Sequence, residues 1–214
     1  MDFKLWCAPG LHLARVAEDI ILLDRSADAY NCLLGAAEAV RPGPGGLIEV
    51  SKPEIMHELL LAGIATRSPP SPLRRDPVAP TRELPRMHRA SRSEVFRAGI
   101  ALTIAAHAFR ARTLESLIAG SSSGDRPPPA VDEIRLDRLV AAARSVRPWV
   151  PFEGECLQRS YQLKRFLQRE GMATEWLFGV RTWPFAAHCW LQIGDLVVGD
   201  RLERVRFYTP ILAA

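Results

Sequence analysis

Three side chains in the last third of the chain have the types and order of a thiol-based catalytic set. Cys156 stands at the expected start of a helix, just after Gly154; His188 follows in a strand-like segment, and Asp200 ends the next one. A free thiol of pKa ~8.5 is mostly protonated at neutral pH, whereas exposed amides and the positive end of a helix dipole favour the thiolate. An imidazole on an adjoining strand can hold the proton. A carboxylate on the neighbouring strand can fix its tautomer and stabilise its charged form. With a tight turn at Gly194-Asp195, His188 and Asp200 come close to opposite each other across the ladder. The backbone amide of Cys156 is an expected oxyanion donor.

The remaining candidates are blander. Cys7 and Cys32 read as small hydrophobes, and Cys189, next to His188, points to the opposite face of its strand, into packing. The chain has no GxxxxGK[ST] and no C-x-x-C, so neither a P-loop nor a paired zinc site is expected, and no bound cofactor or metal.

Helices must position the thiol and strands the imidazole. Cys156 to Gly171 reads as a helix burying Leu157, Tyr161, Leu163, Phe166 and Leu167, preceded by helices over 94–117 and 132–146 whose apolar residues recur at helical period. Short β-rich segments then follow at 174–181, 187–193, 196–199 and 205–209. Helices followed by an antiparallel sheet make an α+β domain over 93–214. A loop, AGSSSGDRPPPA, interrupts it at 119–130.

Residues 67–92 are rich in proline and arginine, with prolines at 69, 70, 72, 77, 80 and 85, and read as a semi-rigid tether. Residues 1–66 read as three short strands, at 3–7, 12–17 and 19–23, and then three helices: one capped by Ser26, a short one after Pro42–Gly46, and one opened by Pro53. That is a winged-helix-like module.

A chain of 214 residues suffices for one large or two small cores. No run of 18 apolar residues occurs, so no membrane partner is expected, and the first residues have no basic start followed by an apolar block. Four irregularly spaced cysteines do not make a disulfide scaffold, and a reducing cytoplasm is the natural setting. The net charge of +4 is uneven: residues 67–112 hold ten basic against three acidic side chains, while 1–66 hold five against nine. Basic excess in a proline-rich tether is a poor platform for reading a groove, so no nucleic-acid partner is expected.

The stretches CLQRSYQLKRFLQREG and LFGVRTWPFAAHCWLQIGDLVVGD resemble the lasso peptide maturation proteases, the B protein family, at Cys156, Leu157, Ser160, Gly171, Phe185, Ala187, His188, Trp190 and Asp200. The resemblance implies a transglutaminase-like, papain-like cysteine protease fold with Cys156 as nucleophile, His188 as base and then acid, and Asp200 as orienting group. Cys189 stands where the family usually has a small residue. LLDRSADAYNCL at 22–33 is similar to the strand-to-helix signature of the PqqD-like leader-recognition element. In such modules a leader peptide adds to the third strand and packs on the third helix. This implies leader contacts at Ile20, Ile21, Leu22, Leu23, Tyr30, Ile55 and Leu59. The partners so implied are the precursor peptide and an asparagine-synthetase-like macrolactam cyclase, to which any ATP requirement belongs. Two other functions fit the same residues: a transglutaminase-type acyltransferase, in which an amine intercepts the acyl-enzyme, and a non-catalytic precursor carrier.

Overall fold

Short apolar stretches punctuated by glycine and proline give the first part of the chain strands rather than helices. A computed structural model describes residues 2–71, 74–110, 112–119, 131–151 and 154–214; the loop expected at 119–130 lies, from 120 on, outside the described residues. The chain forms two compact units, one of Met1–Pro77, Gly179–Ala187 and Tyr208–Ala213, the other of Val78–Phe178, His188–Phe207 and Ala214.

The first sixty-six residues contain β1 (Phe3–Cys7), β2 (Leu11–Val16), β3 (Asp19–Asp24), β4 (Ala29–Leu33), β5 (Val40–Pro42), β6 (Leu47–Val50), α1 (Pro53–Leu61) and β7 (Ala65–Thr66). They make a sheet of order β5-β6-β1-β7 and a second of order β2-β3-β4. Leu5, Ile20, Ile48, Val50 and Leu59 anchor a common core.

Two of the three helices expected here are absent. The Asp24 carboxylate accepts the amides of Ser26 and Ala27 at 2.8 and 3.1 Å and the Ser26 hydroxyl at 2.6 Å, closing a turn where a helix would have started. β3 and β4 are therefore a hairpin, with Leu23 paired to Tyr30. After Pro44–Gly46 the segment Leu47–Val50, with β-branched Ile48 and Val50, pairs with β1 instead of coiling. Only α1, with Pro53 in its first turn, matches the expectation, so the described residues do not form the three-helix winged arrangement. β3 is also the middle strand, bonded to β2 and β4 on its two sides, which leaves no ladder at Ile20–Leu23 for an added strand.

The rest of the chain contains β8 (Arg82–Glu83), α2 (Arg92–Phe109), α3 (Leu114–Ala119), α4 (Glu133–Val146), α5 (Cys156–Arg169), β9 (Glu175–Arg181), β10 (Ala186–Ile193), β11 (Leu196–Val198), α6 (Leu202–Val205) and β12 (Thr209–Ala213). This is the expected α+β texture, with sheet order β12-β9-β10-β11-β8. Ser91 and Glu94 form a reciprocal cap on α2, and Asp132 caps α4. The single helix expected over 94–117 is divided, because Thr113 opens α3 by accepting the Leu117 amide at 3.0 Å. The strand expected at 205–209 lies later, at β12, since Leu202–Val205 closes a helical turn. Among the described residues no helix is long and apolar enough to cross a membrane.

The tether expected over 67–92 ends sooner than its composition suggests. Five of its six prolines precede residue 81, and the chain beyond has free amides. Those of Thr81 and Arg82 donate to the Asp195 carbonyl at 3.0 and 3.2 Å, and β8 runs parallel to β11. Asp137 of α4, almost wholly buried, then accepts the amides of Met87 and His88 at 2.9 and 2.8 Å and His88 Nδ1 at 2.9 Å. Residues 81–91 are thus fixed to the sheet and to α4.

Burial alone would raise the pKa of Asp137, but the His88 amide and ring and the Met87 amide outweigh it and hold the carboxyl below its usual value. Replacing Asp137 with alanine is expected to lower stability toward urea at neutral pH by about 2–4 kcal/mol, because buried donors lose a charged acceptor. A depressed folded pKa stabilises above the unfolded value of ~3.9, and that contribution is lost as pH falls through the folded pKa. The gap between wild type and D137A should therefore close in acid; a gap independent of pH would contradict the assignment.

Candidate active site

The thiol is presented by the first turn of a helix with no side-chain cap. Cys156 opens α5, and Glu155 at the N-cap makes no capping bond through its side chain. The first amides of the helix are left to other partners, which is the condition for an anion site. Gly154 is required just before it, because a Cβ there would collide with the Gln158 side chain folded back from the same turn.

The facing element is β10, which carries His188 and Cys189. The His188 ring is buried, with Nε2 2.6 Å from Asp200 Oδ2 and with Trp190 stacked beside it at 6.1 Å between centroids. Nδ1 is left for the thiol, and His188 and Cys156 share a side-chain hydrogen bond. Asp200 Oδ1 also accepts the Arg201 amide at 2.8 Å.

The ladder alone does not deliver Asp200. Pairing of β10 with β11 ends at Leu191 opposite Val198. Gly199, at φ +79, then turns the chain so that the next residue reaches His188; a Cβ on Gly199 would also lie 2.5 Å from Leu163 of α5. Only glycine satisfies both constraints.

The electrostatics follow from these contacts. The Cys156 pKa is lowered, first by a hydrogen bond from the Cys189 thiol, against the opposing effect of burial, and further by His188 and the Cys189 backbone amide. Burial would lower His188, but Asp200 and the Cys156 sulfur together raise it. Burial would raise Asp200, and the His188 bond and Arg201 amide lower it. Cys189 is pushed well above an ordinary thiol by its position beside Cys156 and by burial, so it stays protonated and donates. The set is a thiol held toward its thiolate form, an imidazole held toward its charged form and an oriented carboxylate, an arrangement suited to nucleophilic acyl chemistry.

Cys156, His188 and Asp200 are thus brought together within the second unit. Ile20, Ile21, Leu22, Leu23 and Leu59 are instead buried, Ile20 and Leu59 within the core of the first unit. Ile55 packs partly buried against that core, and Tyr30 of β4 lies against Phe185 at 5.6 Å. Cys7 is buried as expected, whereas Cys32 is exposed.

Cys189 is buried as expected, yet it meets the reacting thiol, which the alternation of β10 does not suggest. The available signal is Ser160, one helical turn after Cys156. Its hydroxyl lies 3.3 Å from Cys189 Sγ, accepts Trp176 Nε1 at 2.8 Å and donates to the Cys156 carbonyl at 2.7 Å.

Two outcomes are expected from peptide-mapped iodoacetamide alkylation across pH. Cys156 should react as a thiolate well below neutral pH, whereas Cys32, whose pKa burial and Asp19 raise, should react only as pH approaches that of a free thiol. Cys189→Ala should move the Cys156 profile to higher pH, and on its acid side the rate should fall about tenfold for every pH unit by which the midpoint rises. An unmoved profile would remove Cys189 from the activation of Cys156.

Residues 96–213 match the sequence pattern of the Transglutaminase-like superfamily. Over 49 residues the chain is 41% identical to the Microcin J25-processing protein McjB of Escherichia coli, a stretch covering 23% of this chain and 24% of that protein. The chain thus spans about a quarter of the length of the curated relative it matches. No solved structure matches it. A match over more than half of the chain that includes Cys156, His188 and Asp200 makes this protein a member of the transglutaminase-like superfamily.

Proposed function

We propose that this chain is a cysteine peptidase that removes the leader from a lasso peptide precursor. The reading rests on the oriented Cys156–His188–Asp200 set, and the similarity to a microcin J25-processing protein supports its peptide context.

Cys156 Sγ attacks the scissile carbonyl carbon, and the carbonyl oxygen takes the negative charge beside the Cys156 amide. As the intermediate collapses, the C–N bond breaks and His188 gives its Nδ1 proton to the departing amine, which is the core's new N-terminus. A water molecule then loses a proton to His188 and attacks the thioester. The leader leaves with a free carboxylate and the thiolate is restored. Asp200 keeps the ring's Nε2–H in place through both halves of the cycle. An asparagine-synthetase-like cyclase partner would consume the freed amine, and any ATP requirement sits there.

Capture of the leader falls to the first unit, and strand addition there is best served by β4, which is bonded on one side only among the described residues. The proposed path of the peptide is therefore along Ala29–Leu33 rather than Ile20–Leu23.

Incubation with the precursor peptide, cyclase and ATP, followed by mass spectrometry, tests the reading. Wild type should yield free leader acid, Cys156→Ala none, and Asp200→Asn a rate lower by about 10²-fold or more. Leader amides formed with added amines would make the chain an acyltransferase. Equal processing by wild type and Cys156→Ala would leave a precursor carrier.

A further inference from the structure

Beside Cys156 the second unit encloses a cleft of about 680 Å³, and its charge is strongly one-sided. Arg86, Arg144, Arg147, Arg159, Arg201 and Arg204 line it, against two carboxylates, Asp200 and Glu203. These arginines come from five separate places: the segment after β8, α4, the turn that follows it, α5, and the approach to α6 with α6 itself. Their convergence is a property of the fold, not of one basic helix face.

Neighbouring carboxylates offset part of this charge, Asp137 and Glu83 both favouring the charged form of Arg144. Asp200 is engaged by His188 and the Arg201 amide. Glu83 accepts the Leu202 amide at 2.8 Å and pairs with Arg86 at 3.4 Å. Among the described residues, Arg144, Arg201 and Arg204 have no carboxylate within ion-pair distance. Arg144 is held below its usual pKa by burial and then by the like charge of Arg86. Guanidinium groups crowded in this way are stabilised by a shared anion, and guanidinium forks fit carboxylate geometry. The same cleft has apolar walls at Trp190, Leu191 and Phe207 and ends on the nucleophile, as suits a few residues of extended peptide.

We propose that the arginine-lined cleft selects a peptide with an acidic side chain close to the scissile bond. The proposal rests on the peptidase reading, and names the substrate class of that site. Arg86 and Arg144 are specificity-determining residues, and they act by pairing with the substrate's carboxylate.

Alkylation separates the two claims without a known precursor. The rate of Cys156 with neutral iodoacetamide reports the activated thiol. The ratio of iodoacetate to iodoacetamide rates, compared with the ratio at exposed Cys32, reports the cleft. That ratio should be about tenfold higher at Cys156 in low salt, shrink in high salt, and fall in both Arg144→Gln and Arg86→Gln. The salt response is read on wild type and so does not depend on folding of the variants. A glutamate-containing hexapeptide should protect Cys156 from iodoacetamide better than its glutamine analogue and better than inorganic phosphate. Equal ratios at the two cysteines would overturn the proposal, as would a raised ratio that both variants retain, which would place the charge on His188. Protection by phosphate equal to that by the acidic peptide would overturn the peptide assignment. Slow reaction of Cys156 with iodoacetamide would instead overturn the peptidase reading itself.

Discussion

The chemistry of this chain depends on one junction, where the first turn of α5 meets β10 at His188 and Cys189. A helix N-terminus already favours the thiolate of a cysteine placed there. Here the same sulfur accepts hydrogen bonds from the imidazole of one strand residue and from the amide and thiol of the next. Three donors against one acceptor make the thiolate the stable form although burial opposes it. The charged form of His188 is in turn favoured by a carboxylate 2.6 Å away.

Much of the second unit serves to keep that junction in register. Ser160 ties the first turn of α5 to Trp176 of β9 and to Cys189 of β10 through one hydroxyl. Further along α5 the wholly buried Lys164 donates to the Thr174 carbonyl at 2.5 Å, and burial lowers its pKa to about 8. At the opposite edge β8 and Asp137 fix residues 81–91, and with them Arg86 and Glu83, at the side of the cleft.

The second unit is legible in the sequence because its signals agree across levels. Helical periodicity, the Ser91–Glu94 and Asp132 caps and the Gly194-Asp195 turn each point to elements that tertiary packing then keeps. Cys156 stands out because it opens a helix, and His188 and Asp200 because they follow it inside β10 and just past β11. The first unit misleads where local chemistry competes with period. The spacing of Ala27, Tyr30, Leu33 and Leu34 suits a helix, but Asp24 captures the amides that would start one. β8 is hidden by the prolines around it, and its pairing depends on a strand more than a hundred residues later. The role of Cys189 is equally invisible, since strand alternation does not say what a helix terminus on the other side will present.

The central claim, that the Cys156 thiol and the His188 imidazole hold each other toward their charged forms, is tested most directly by nitrogen-resolved NMR of the His188 ring through a pH titration. The account predicts a midpoint above the ~6.5 of an ordinary histidine and a fall in that midpoint when Cys156 is replaced by alanine. A midpoint at or below that of an ordinary histidine, unmoved by removal of the Cys156 thiol, would contradict it.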